Sequence, residues 1–272
     1  TFTIFGLSSE NCCAIFRNET IHKLVAHNIK KHRTNKIMKN NIESSLILNR
    51  KVIIELRFIP APRFLDLKGT ILDKINSLNI IKGADWSIGD SALKIADNKK
   101  EELIKNIVQV EINRISLISS KVDSIEKLVS DFIKLYDTIN EVLGNITITR
   151  IGCRIQGTYK TKSNEYDKIL ENFKNSFPSQ IFLENFPTND LRLQIVYQNG
   201  TYHIGPVNEN DNFLNREFKN PDRNNSVGVA IDTDNYLLKT GNIEIGSKTK
   251  IKDVITASLA VEKSLVENLK EF

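Results

Sequence analysis

NIVQVEINRISLIS, residues 106 to 119, is the stretch on which the fold turns. Its apolar side chains fall first at Val108, Val110 and Ile112, then at Ile115 and Leu117. Strict alternation places every second residue of a strand on one face, so a change of parity midway predicts a long strand interrupted by a bulge near Asn113 and Arg114. Read that way, residues 52–159 run β-α-β-β-α-β, the split βαβ (ferredoxin-like) order. The expected fold class is therefore α+β, a largely antiparallel sheet with packed helices. Two pseudo-similar halves, about 46–160 and 161–272, are an open option within one body spanning 38–272.

The elements on either side support that class. In VIIELRF, residues 52–58, Val52, Ile54, Leu56 and Phe58 alternate with Ile53, Glu55 and Arg57, which predicts a strand with one buried face. Pro60 and Pro62 end it. Asp66 is placed to cap a helix carrying Leu67, Ile71, Leu72, Ile75 and Leu78 on one stripe. Residues 84–96 suggest one or two short strands, with Trp86 in the core. A second helix has the broadest apolar face of the chain, from Ile125 to Leu143. Asp123 and Glu126 form its capping box, and Gly144 stands at its left-handed end.

ITITRIGCRIQGTY, residues 146–159, is the next strand, and a helix follows at about 165–176. Asn199-Gly200 marks a hairpin between 191–197 and 201–207, because both turn positions favour positive φ. Residues 207–225 are polar and loop-like, SVGVAIDTD is a strand, and 249–271 form a long amphipathic helix.

The net charge of +5 invites a nucleic-acid reading until it is located. Residues 1–37 hold six basic and two acidic side chains, leaving 32 basic and 31 acidic for the rest. Binding to phosphate needs clustered positive charge, and the body lacks that excess. No apolar run reaches the roughly 18 residues of a membrane span, and no secretory signal pattern opens the chain. Three cysteines fit a reducing cytoplasm.

The basic opening also holds Cys12, Cys13, His22, His27 and His32. Histidines five apart lie about 140° apart around a helix and on opposite faces of a strand, so they do not converge on one ion. No metal site is expected there. Met38 is the sole methionine, and composition changes at that point. Residues 1–37 are expected to be an extension outside the fold, disordered or translated from upstream.

Few residues in the body suggest chemistry. Arg150 and Arg154 share a strand face, about 13 Å apart, with Gly152 between them. They suit either an anionic ligand or acidic residues on neighbouring strands. Asp232 and Asp234 share a face of their own strand. A carboxylate pair can hold a cation or act as acid and base, and it can equally complete an Asp–Arg ladder. His203 has no placed nucleophile or acid beside it, and Cys153 faces the apolar side with Ile151 and Ile155. No phosphate-binding loop, dinucleotide fingerprint, nucleophile elbow or C-x-x-C pair occurs, so no cofactor, metal or catalytic residue is assigned.

VIIELRF with its prolines, the helix ending at Gly144, RIGCR, VGVAIDTD and the closing helix occur here together. This set resembles a sporadically distributed family of uncharacterised bacterial proteins. That family has an LRF-like first strand, a central R-x-G-x-R strand and a late DID-like strand. The resemblance spans about residues 46–272 and implies no activity or site residue. Its patchy distribution is associated with mobile or defence-linked genes. The expectation is a cytoplasmic, non-enzymatic binding or interaction protein whose partner is a protein or small ligand. The alternative is a nucleic-acid-sensing or processing component, possessing Arg150, Arg154, Asp232 and Asp234 as its candidate groups. A small-ligand hydrolase is a third class, for which a nucleophile with a partner is missing.

Overall fold

The chain reverses at Ile112-Asn113, where the sequence suggested a bulge. The computed structural model describes residues 42–81, 84–97, 106–120, 122, 124–176, 190–197, 199–218, 226–240 and 248–272. Within it, residues 106–119 form two strands, β4 (Ile107–Glu111) and β5 (Arg114–Ser119). Glu111 faces Arg114, Val110 faces Ile115 and Val108 faces Leu117. Across this hairpin, partners have opposite parity, so the even residues of one strand and the odd residues of the other share one face. All four apolar side chains are buried on that face. The parity change was thus the signature of a tight turn, whose two carbonyls accept from the Phe58 and Ala61 amides at 3.0 and 2.8 Å.

The remaining elements are β1 (Ile47–Phe58), α1 (Phe64–Ser77), β2 (Ala84–Ile88), β3 (Ala92–Asp97), α2 (Ile125–Leu143) and β6 (Ile148–Tyr159). After them come α3 (Tyr166–Ser176), β7 (Leu193–Tyr197), β8 (Gly200–Val207), α4 (Asn212–Glu217), β9 (Gly228–Leu238) and α5 (Lys248–Leu269). The strands make one nine-stranded sheet in the order β2-β3-β4-β5-β1-β6-β9-β8-β7. The fold is α+β, with five helices packed on an antiparallel sheet. Every strand pairing among the described residues is antiparallel. In a split βαβ unit one antiparallel strand lies between the two strands that the helix joins, whereas β3, β4 and β5 all lie between β1 and β2. The expected ferredoxin-like first half is therefore not what these strands build.

Helices α1, α2, α3 and α5 cover one sheet face. Val52, Ile54, Leu56 and Phe58 of β1, with Ile151, Cys153 and Ile155 of β6, meet Phe132, Leu135 and Ile139 of α2 and Ile251, Ile255 and Leu259 of α5. Short α4 packs on the opposite face, where Leu214 meets Val207 and Ala230. It lies within residues 207–225, which the sequence suggested were loop.

Several local expectations shift. α1 begins at Phe64 with Asp66 inside its first turn, so Asp66 does not cap it. Ser124 is the α2 cap, accepting from the Lys127 amide at 3.2 Å, while Asp123 lies outside the described residues. Gly144 does end α2 in the left-handed conformation, at φ 79°. The 193–207 hairpin forms, but Tyr197 pairs with Gly200, so Gly200 begins β8 and has no positive φ. Its missing side chain instead leaves room for the Tyr202 ring, whose hydroxyl lies 2.3 Å from where a Cβ would stand. Trp86 is exposed, contrary to its expected place in the core: β2 is paired only with β3 among the described residues. The Cys- and His-containing opening lies outside the described residues. No helix among the described residues is long and apolar enough to cross a membrane.

Candidate functional site

The four singled-out residues meet on the sheet face that α1, α2, α3 and α5 leave uncovered. β6 and β9 are neighbours, with Arg154 opposite Asp234 and Gln156 opposite Asp232. The side chains pair diagonally across this register. Arg154 donates from Nε and Nη2 to the two Asp232 oxygens at 2.8 and 2.6 Å, a bidentate fork. Arg150 donates from Nη2 to both Asp234 oxygens at 2.9 and 3.0 Å, and from Nη1 to Glu55 at 2.9 Å. Its guanidinium also lies 5.0 Å from the centre of the Tyr236 ring.

Of the alternatives left open by the sequence, the ladder is the one formed. The open space between the arginines is absent, because the Arg150 guanidinium occupies the position over Gly152. A Cβ added at Gly152 would stand 2.7 Å from Nη1. Gly152 is opposite Glu55 on β1 and Tyr236 on β9, so the arginine spans three strands through the gap its own strand provides.

The belt extends beyond the residues named from sequence. Glu55 also accepts from Arg57 at 2.6 Å and from Arg114 at 3.3 Å, and Arg114 pairs with Glu111. Beside Asp232, buried Gln156 donates to it at 3.3 Å, and Lys51 reaches Glu217 of α4 at 3.4 Å. The hydrogen bond from Arg154 to Asp232, opposed by burial, raises the arginine further above its ordinary pKa. Arg114 is raised in the same way by Glu111. At Glu217, burial favours the neutral acid but is outweighed by hydrogen bonds from Arg216 and Gln156, so its carboxyl falls below the usual value. His203 is exposed and stands opposite Asp232 on β8, with no hydrogen bond joining them among those described. Among the described residues, no group of three His, Cys, Asp or Glu side chains is arranged to hold a metal ion.

A second polar cluster, missed in sequence, lies on the helix side. Arg50 donates to both oxygens of fully buried Glu262 at 2.6 Å, and the Tyr159 hydroxyl donates to Glu262 at 2.5 Å. The Tyr159 ring lies over Gly157, where an added Cβ would stand 2.3 Å from the hydroxyl. Two signals were available. Glu262 occupies an apolar position of the α5 stripe, between Leu259 and Val266, and Gly-Thr-Tyr occurs at both 157–159 and 200–202. Burial acting on Arg50 would lower its pKa, but Glu262 reverses this and the net shift is upward. Burial, then the Glu262 charge, drives the Tyr159 hydroxyl well above its ordinary range.

Fold and belt together define an α+β chain with a single mixed-charge sheet face and a buried ion pair behind it. No family model matches the chain, and no curated protein matches it.

Proposed function

We propose that this is a non-enzymatic binding or interaction protein that docks a partner on the uncovered sheet face. The observation that supports it is the belt itself: Arg57, Arg114, Arg150 and Arg154 with Glu55, Glu111, Asp232 and Asp234, gathered on that face across five strands. Partner-facing surfaces use such charges for register and specificity more than for raw affinity. The place of action we propose is the cytoplasm. We also keep membership of the sporadic bacterial family as a proposal, on the LRF, R-x-G-x-R and DID residues. The proposal of two pseudo-similar halves rests on topology. β1 and β6 are each followed by a helix, a meander that returns beside them, and a closing helix.

The test is affinity capture from the host with the chain and with an Ile118→Glu variant, which adds a charge to the uncovered face. A partner lost selectively from the variant is the expected result. Identical co-purifying proteins would overturn the docking reading. The alternative, a nucleic-acid-sensing or processing component, is favoured by the outward arginines of the belt. It predicts salt-dependent binding of the chain to DNA or RNA, and no binding at low salt removes it.

A further inference from the structure

The uncovered face carries a second feature beside the belt. Ile53 of β1 is opposite Ile118 of β5, which is opposite Ile107 of β4. These three isoleucines form one row across adjacent strands, each partly exposed, on the face away from the main core. Ala96 of β3 continues the row. It contains no aromatic side chain.

Exposure of the adjoining charges is unequal. The side chains of Arg57, Arg154 and Arg114 are 50, 43 and 34 % exposed, whereas those of Glu55, Glu111 and Asp232 are 13, 20 and 8 % exposed. At these pairs the carboxylates lie low against the sheet and the guanidinium groups form the accessible rim, whereas at Arg150–Asp234 the order is reversed, 15 against 37 % exposed. Arg154 is opposite Ile53, and Arg57 and Arg114 lie four residues from the row on β1 and β5, beyond Glu55 and Ser116. The surface therefore offers aliphatic contacts with a cationic border, although its formal charges balance.

We infer that the partner docked here is an acidic amphipathic protein segment. Its aliphatic side chains cover Ile53, Ile118 and Ile107, and its carboxylates meet Arg57, Arg114 and Arg154. The inference rests on the docking role proposed above. Strands are about 4.8 Å apart and one helical turn rises about 5.4 Å, so leucines on successive turns of a helix crossing the strands match the isoleucine spacing. Nucleic acid fits less well, because sequence-tolerant binding of single strands relies on aromatic stacking.

The probes are a fluorescein-labelled Leu/Glu amphipathic peptide, its Leu/Lys counterpart and an equally labelled single-stranded DNA. Each is titrated into the full chain with anisotropy as the readout. The Glu peptide is expected to bind, to weaken with salt, and to lose about ten-fold in affinity, or about 1.4 kcal/mol, in Arg57→Gln/Arg154→Gln. Arg57→Gln alone, at a half-exposed side chain, gives a smaller loss in the same direction if the double variant fails to fold. Equal binding of both peptides, binding of neither, tighter binding of the DNA, or unchanged affinity in the variants overturns the inference. If Ile118→Glu still abolishes partner capture after such a failure, the docking role stands and only the acidic partner is wrong. If capture is also unchanged, both fall.

Discussion

Arg150 lies flat across Gly152, two residues further along its own strand, and from that position its guanidinium reaches Glu55 on one neighbouring strand and Asp234 on the other. A glycine within a central strand ordinarily weakens it, because no side chain packs there. Here the missing side chain is replaced by the stem and head of an arginine. The R-x-G unit is consequently a structural pair in which glycine supplies the space and arginine supplies three charge-assisted hydrogen bonds.

Gly152→Ala should displace that guanidinium, since the new methyl group would stand 2.7 Å from Nη1. Glu55 and Asp234 would then need other partners. A loss of about 1–2 kcal/mol is expected in urea unfolding. In an Arg150→Ala background the same change should cost little, because the clash and the displaced contacts are already gone. Additive losses in this double-mutant cycle would sink the seating argument.

The Arg50–Glu262 pair makes a different demand. Glu262 is fully buried, so removing its charge alone leaves a buried guanidinium without compensation. Glu262→Leu should cost about 3–5 kcal/mol, with Arg50→Met/Glu262→Leu recovering most of it. Urea midpoints of the two variants check this; a double variant as unstable as the single one would contradict it.

Class and element order were largely legible in the sequence, whereas topology was not. Alternation in 52–58 and the stripe of 125–143 point to β1 and α2 because each buries one face, which is what periodicity records. The 106–119 stretch misled because periodicity does not distinguish a bulge from a two-residue reversal, and Ile112-Asn113 lacks the glycine that would mark the turn. That one hairpin moved β5 beside β1 and put three strands, β3, β4 and β5, between β1 and β2, where a split βαβ unit has one. The shared faces of Arg150 with Arg154, and of Asp232 with Asp234, followed from parity alone. Glu55, Arg114 and Glu217 did not, since only the sheet order brings β1, β5 and α4 to them. Trp86 misled because size predicts burial only where a second layer covers the residue, and edge strand β2 leaves it exposed.

Trp86 is therefore a reporter of the sheet edge. As the only tryptophan of the chain, it should show solvent-like emission in the native state and ready quenching by iodide. Unfolding in urea should change its emission maximum little, and Trp86→Phe should alter stability by less than about 0.5 kcal/mol. A strongly blue-shifted native emission protected from iodide would place the indole elsewhere.

Alkaline pH should destabilise the fold through groups buried in their protonated forms. Burial pushes the Cys153 thiol from 9.0 up to about 12, a shift that the Ser258 hydrogen bond opposes. The Tyr159 hydroxyl is also raised, by burial and then by the Glu262 charge. For each group the folded pKa lies above the unfolded one, so the unfolded chain loses its proton first as pH rises. The associated stability is complete below the unfolded values. For Cys153 it declines as pH climbs from about 9 towards 12. Urea unfolding between about pH 8 and 10.5 should show a falling midpoint, with a shallower decline in Cys153→Ala. Tyr159→Phe should reduce the slope further at the upper end, whatever the fixed cost of losing its hydrogen bond. The slope isolates proton linkage from the packing change because the packing loss is the same at every pH. A Cys153→Ala curve parallel to that of the unaltered chain would show that this thiol does not contribute.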